Sequence, residues 1–278
     1  MLQIPLKQID KPSLRYYNKP SFYERSEIHE VFRYYSHPNG LPCSLYPYPV
    51  IVGQSCMFYG AGIGLRRFYF HYYGGPMKQI ITIQHTQSIH HTNGMVGSWT
   101  DWDLSELGIV QAEKIGQNLA KQLAGQEYVL YTSDLLRAKH TAEIVAEHLG
   151  IAPIIRMELR ERNLGKCVGK SVQWLRENIE VQEKTIDDRM FSDAESRRDE
   201  WNRLKPLFDE IMASDDECII VVSHGDLLSV WNSMFLGLEV ESLNQFELFG
   251  LAGGVSVMFQ NNEGKRFIKR MSDLSYMV

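Results

Sequence analysis

From Met77 to Val278 the chain predicts an α/β domain: a three-layer, mainly parallel, doubly wound sheet with helices on both faces. Three observations carry that prediction. Apolar runs of strand length alternate with longer stretches of helical spacing, the pattern of βαβ units. The run Cys218-Ile-Ile-Val-Val222 lacks polar alternation and fits a strand buried on both faces. Finally, His85 and His224 each fall just beyond a strand-like run, although more than a hundred residues separate them. A doubly wound sheet gathers its ligands in the crevice beyond the carboxyl ends of its strands.

The elements follow in order. Gly74, Gly75 and Pro76 break the chain ahead of a strand over Gln79 to Ile83. After a loop rich in His, Gly and Trp, Ser105 is a good N-cap for a helix carrying Val110, Ile115, Leu119 and Leu123 near helical spacing. Glu127 to Thr132 predicts a second strand, Leu135 to Leu149 a second helix ended by Gly150, and Pro153 to Met157 a short strand. A polar, helical stretch over Val172 to Phe208 leads to the buried strand at Cys218, and another helix starts near Asp226. Val255 to Gln260 and Arg266 to Met271, joined around Asn262-Glu-Gly264, form a hairpin that closes the sheet edge.

Residues 1 to 76 differ in kind from residues 77 to 278. They hold 11 of the 14 tyrosines and eight of the 10 prolines, and Lys plus Arg outnumber Asp plus Glu by 8 to 4, against 21 to 30 afterwards. Neither helical period nor strand alternation is sustained there, so the expectation is a Tyr/Pro-rich extension of poor order, with loops or short strands around Pro47 and Gly60. It is either a partner-binding or substrate-covering arm or a dispensable tail, and no chemistry is assigned to it.

Composition narrows the function. The 44% hydrophobic and 23% charged fractions are those of a globular domain, and no uncharged apolar run reaches the roughly 18 residues of a membrane span. The start, Met1 to Asp10, lacks a basic region followed by an apolar stretch, so the expected location is the cytoplasm. Cys43, Cys56, Cys167 and Cys218 show neither zinc nor disulfide spacing and are read as reduced thiols. A net charge of -5 argues against a nucleic-acid partner. Oligomeric state is not legible.

Imidazole suits the two strand ends because its reference pKa, about 6.5, leaves a neutral nitrogen available as a nucleophile near neutral pH. Arg137, in Ser133-Asp-Leu-Leu-Arg-Ala138, is placed to meet phosphate oxygens bidentately or to serve as a surface ion-pair residue. Glu161, in Leu159-Arg-Glu-Arg-Asn-Leu-Gly165, is a general acid if burial raises its pKa, or a partner of Arg160 or Arg162. His90 and His91 lie near His85 in sequence, but no ordered carboxylate or thiol completes a ligand set, so no metal site is expected. Ser223-His224-Gly225-Asp226 cannot form a charge relay, because adjacent residues on one turn do not converge. Cys167 beside Lys166 is either a low-pKa thiol or an inert loop cysteine.

In the order and spacing of its motifs the domain resembles the histidine phosphatase superfamily, the phosphoglycerate mutase-like enzymes. The family's opening Arg-His-Gly-Glu-Thr segment aligns on Gln84-His-Thr-Gln-Ser88, its downstream Asn on His91 and its Gly-Arg on Gly94-Met95. Ser-Asp-Leu-x-Arg-Ala-x-x-Thr-Ala is complete from Ser133 to Ala142, Leu-x-Glu-Arg-x-x-Gly from Leu159 to Gly165, and Ser-His-Gly from Ser223 to Gly225. The resemblance implies that His85 accepts the phosphoryl group, Arg137 and His224 hold its oxygens, and Glu161 protonates the leaving group. Gln84, Ser88, His91, Gly94 and Gly225 would complete the substrate-binding set. The implied activity is that of a metal-independent phosphatase of a small phosphorylated substrate, needing no cofactor. A mutase-type phosphoryl transferase and a catalytically weakened phosphate-binding regulator are the alternatives. The first motif departs from the family, with neutral Gln84 and Met95 in place of two arginines. A charge-assisted hydrogen bond is roughly twice as strong as a neutral one, so affinity for a dianionic monoester should fall. The segment from Trp174 to Phe191 is expected to set specificity.

Overall fold

A computed structural model describes residues 77–278, together with two three-residue strands, β1 (Val50–Val52) and β2 (Ser55–Met57), which pair antiparallel. The expected poor order of the first 76 residues otherwise lies outside the described residues. From Met77 the order is β3 (Met77–Gln84), α1 (His90–Asn93), α2 (Glu106–Gln122), β4 (Val129–Thr132), α3 (Leu136–Leu149), β5 (Ile154–Ile155), α4 (Val172–Asn178), α5 (Arg197–Ala213), β6 (Cys218–Ser223), α6 (Gly225–Phe235), β7 (Val255–Asn261) and β8 (Arg266–Asp273). The six-stranded sheet has the order β5-β4-β6-β3-β7-β8. Its first four strands are parallel, and β7 and β8 run antiparallel at the far edge, where the predicted hairpin lies.

Side-chain alternation along the central strands divides the core into two layers. Ile80, Ile219 and Val221 pack with Trp201, Leu204, Phe208 and Trp231 of α5 and α6. Ile81, Ile83, Ile220 and Val222 face the other way, onto Ile115, Leu119, Ala138 and Val145 of α2 and α3. All six residues of β6 are buried, which explains its unbroken apolar run. Among the described residues no helix is long and apolar enough to cross a membrane.

Two expectations need correction. The stretch from Val172 to Phe208 is not continuously helical: α4 stops at Asn178, and α5 starts only at Arg197, behind a capping box between Ser196 and Asp199. Between them, side chains capture backbone donors that a helix would use. Asp188 accepts from the amides of Lys184 and Thr185, and Glu180 from that of Ser192. The strand expected over Pro153 to Met157 shrinks to Ile154–Ile155, because the chain turns into a 3-10 helix at Met157.

One glycine couples the sheet to the site. The side chain of Ser105 caps α2 by accepting from the Gly108 amide at 3.0 Å, as expected, and the Gly108 carbonyl accepts from Thr86 Oγ1 at 2.8 Å. A Cβ at position 108 would overlap the Gln87 carbonyl oxygen. Replacing an exposed helical glycine by alanine ordinarily stabilises by about 1 kcal/mol. At this position Gly108→Ala is expected to destabilise by about 1–3 kcal/mol, the usual range for overpacking, which denaturant unfolding would measure.

Candidate active site

β3 and β6 are paired in parallel with Gln84 opposite Ser223, so His85 and His224 leave the sheet side by side. Their ring centroids are 5.2 Å apart, and both side chains are almost fully buried. His85 Nδ1 lies 2.8 Å from the Thr86 carbonyl oxygen. A carbonyl only accepts, so Nδ1 carries the proton and Nε2 keeps its lone pair. Burial first, then the nearby Arg137 charge, pushes the His85 pKa well below its ordinary value, which keeps the ring neutral.

Arg137 lies in the first turn of α3 and is 1% exposed. Its Nε donates to His85 Nε2 at 3.2 Å, while Nη1 and Nη2 donate to the carbonyls of Thr100 and Ser98, each at 2.8 Å. The start of α3 is fixed by Asp101, whose carboxylate accepts from the Leu136 amide at 2.7 Å. His224 Nε2 lies 2.9 Å from Ser133 Oγ, and His224 Nδ1 is buried without a hydrogen-bond partner among the described residues. Its pKa is also held well below the ordinary value by burial and by Arg137.

Glu161 faces the amino end of α6. Its carboxylate accepts from the Leu227 amide at 3.2 Å, and burial followed by repulsion from Asp226 raises its pKa to about 7. The loop that carries it is clamped from behind by Arg203, which donates to the carbonyls of Glu158, Arg160 and Glu161 and is itself paired with Glu195 at 2.7 Å.

The remaining predicted residues divide. His91 stacks on His85, with centroids 5.5 Å apart and ring planes 10° from parallel. Ser88 is committed to its neighbours: its amide donates to His91 Nδ1 at 3.2 Å and its Oγ contacts His90 Nδ1 at 2.9 Å, so it orients rings rather than presenting itself to a substrate. Gln84 turns towards Gly225 and Gly250 and lines a small cavity with Asn232, Ser256 and Ser272. Gly225 opens α6 directly behind His224. Gly94 ends α1 in the left-handed region at φ 71°, and its carbonyl accepts from Val172 of α4 at the amide. Cys167 is buried and its pKa is raised to about 11, so it is no reactive thiol. Trp174 and Phe191 stack at 5.9 Å over a small cluster with Val96 and Cys167. Sequence reasoning missed Arg203, which acts by hydrogen bonding to backbone carbonyls and has no motif-like signal of its own, and it gave no role to Thr141, a member of the Ser133 to Ala142 pattern whose Oγ1 accepts from the Thr86 amide at 3.2 Å.

The fold and this pair of buried histidines around one arginine define a phosphoryl-transfer class of α/β enzyme, and comparison with known proteins agrees. The family model of the histidine phosphatase superfamily (branch 1) matches residues 80–273. The chain belongs to that superfamily. It is 30% identical over 195 residues, 66% of this chain and 92% of the relative, to a 2,3-bisphosphoglycerate-dependent phosphoglycerate mutase of Nitrobacter hamburgensis. It is 28% identical over 183 residues, 60% of this chain and 77% of the relative, to a glucosyl-3-phosphoglycerate phosphatase of Mycolicibacterium vanbaalenii. Two solved structures share the fold: a mycobacterial glucosyl-3-phosphoglycerate phosphatase (TM-score 0.60, 21% identity, 70% of this chain and 99% of that one) and an Entamoeba histolytica phosphoserine phosphatase mutant in complex with phosphoserine (TM-score 0.59, 19% identity, 72% and 100%).

An acid buried behind the site gives a pH signature. Glu200 is 0% exposed, and burial, then Asp226, raises its pKa to about 8 from an ordinary 4.5. The folded protein therefore holds a proton that the unfolded chain releases near 4.5, and this stabilising contribution, complete below that pH, is lost as pH rises through about 8. Glu200→Gln is expected to flatten that decline. Denaturant unfolding of both proteins at about pH 5 and about pH 9 would show the variant gaining relative stability at the higher pH.

Proposed function

We propose that the domain from Met77 is a metal-independent phosphatase that hydrolyses a small phosphorylated substrate through a phosphohistidine on His85. The observation that carries this reading is the orientation of His85: the Thr86 carbonyl holds Nδ1, leaving the Nε2 lone pair beside the Arg137 guanidinium. Nε2 attacks phosphorus, the ester P–O bond breaks, and the leaving oxygen takes the proton of Glu161. Water then attacks the phosphohistidine, Glu161 recovers a proton from it, and the P–N bond electrons return to Nε2. Arg137 uses the donors not spent on Ser98 and Thr100 to bind the phosphoryl oxygens. His224 Nδ1, which has no partner among the described residues, supplies a further hydrogen bond. For that, Ser133 Oγ, which already accepts from the Leu135 amide, donates to His224 Nε2 and places the imidazole proton on Nδ1.

Hydrolysis of a monophosphate is favoured over mutase chemistry by the pairing of the other cations around Glu161. Arg160 is tied to Asp134, Arg162 to Glu183, Arg203 to Glu195, and Arg197 to Glu200, Asp226 and Glu247. None of these arginines is left free to hold a second phosphate.

The test is a panel of phosphomonoesters assayed in the presence of chelator, using wild type and His85→Ala. Turnover that survives chelator and disappears in His85→Ala supports the reading; turnover retained by the variant ends it. Glu161→Gln is expected to slow alkyl phosphates by roughly 10²–10⁴-fold and p-nitrophenyl phosphate far less, since an acidic leaving group needs no proton. Its raised pKa also predicts that kcat for alkyl phosphates falls above about 7, with that limb missing from the variant. Equal losses on both substrate types would remove Glu161 from the acid role.

A further inference from the structure

We infer that His85, His90 and His91 form a binding site for a divalent transition-metal ion, Zn2+ in particular, and that an ion bound there switches the enzyme off by occupying the lone pair of the nucleophile. The second half rests on the reading of His85 given above; the first does not. The three imidazoles each offer a ring nitrogen, and these nitrogens all lie within 4.8 Å of one another. Nitrogens bound to one tetrahedral zinc at about 2.0–2.1 Å sit about 3.4 Å apart, so modest side-chain rotation closes the set. The movable members are on the solvent side: His90 is half-buried and His91 exposed, both on the four-residue helix α1, whereas His85 is fixed.

The surrounding bonds suit ligation. A metal-bound histidine keeps its orientation by donating its other ring N–H to a carbonyl or hydroxyl. His85 Nδ1 does so to the Thr86 carbonyl, leaving its Nε2 for the ion, and His90 Nδ1 faces Ser88 Oγ at 2.9 Å. Binding gives up two long hydrogen bonds, both 3.2 Å, from Arg137 Nε to His85 and from the Ser88 amide to His91. Arg137 opposes a nearby cation and lowers the affinity below that of an isolated three-imidazole site. Gln84 and Met95, both neutral, add no further charge against it. Three imidazoles with an open fourth position are a ligand set that zinc and cobalt share.

The experiment titrates the metal-free full chain with Co2+, following visible absorption, alongside its His90→Ala variant so that signals from other histidines cancel. One equivalent should give tetrahedral d–d bands that the variant loses, with affinity weakened by at least ~10-fold. In phosphatase assays, Zn2+ should inhibit wild type, while His90→Ala keeps its basal rate and resists inhibition. If His90→Ala misfolds, His90→Gln takes its place. Absence of the bands, or bands unchanged in the variant, overturns the site. Bands that depend on His90, together with a zinc-loaded enzyme as fast as the metal-free one, overturn the switch and with it the nucleophile assignment. The spectra do not depend on turnover, so failure of the phosphatase reading is distinguishable from failure of the metal site.

Discussion

Arg137 is a cation where a cation is costly to bury, and the architecture around His85 can be read as the means of keeping it there. Moving an ionised group out of water costs several kcal/mol unless hydrogen bonds replace the lost hydration. Here the replacements are two backbone carbonyls, from Ser98 and Thr100, and the imidazole of His85. The loop from 97 to 103 must therefore fold back over the start of α3. Asp101 holds it there by capping Leu136, and Asp103 by its 2.7 Å contact with His140. Burial lowers the Arg137 pKa only to about 10, so the charge persists at neutral pH.

The sheet supplies the other half of the geometry. Because β3 and β6 are adjacent, parallel and in register at their carboxyl ends, two histidines far apart in sequence become neighbours without any local motif joining them. The His85 amide itself donates to the Ser223 carbonyl at 2.9 Å, continuing the ladder one residue past the strand. Gly108 then lets α2 approach the loop after His85 closely enough for Thr86 to bond across.

Much of this was legible in the sequence because it depends on periodicity and termini. The buried run at Cys218, the Ser105 cap and the Gly150 stop each express a local rule, and each appears in the structure where it was expected. The Val172 to Phe208 stretch escaped the same rules: its polar residues are compatible with an exposed helix, and only tertiary placement makes Asp188 and Glu180 bind backbone amides instead. At the site, the adjacency of His85 and His224 and the place of Arg137 in the first turn of α3 follow from the order of elements, whereas the bonds of Ser88 to its neighbouring histidines and the turn of Gln84 towards Gly225 and Gly250 do not. Alignment places a side chain in a motif but does not say which neighbours will claim its hydrogen bonds.

The titratable groups shift in opposite directions for one reason. Burial disfavours whichever form is charged, so His85, His90, His91 and His224 are pushed towards neutrality by losing affinity for protons, and Glu161 and Glu200 by gaining it. The guanidinium amplifies the effect on the histidines and partly opposes it on Glu161. What remains of these groups near neutral pH is a set of neutral or half-ionised side chains beside the buried Arg137 charge. In such surroundings the Arg137 charge acts on its neighbours more strongly than an exposed arginine could, because little water screens it. The loss of cationic side chains at positions 84 and 95 therefore leaves the remaining charge in the place where it acts most strongly.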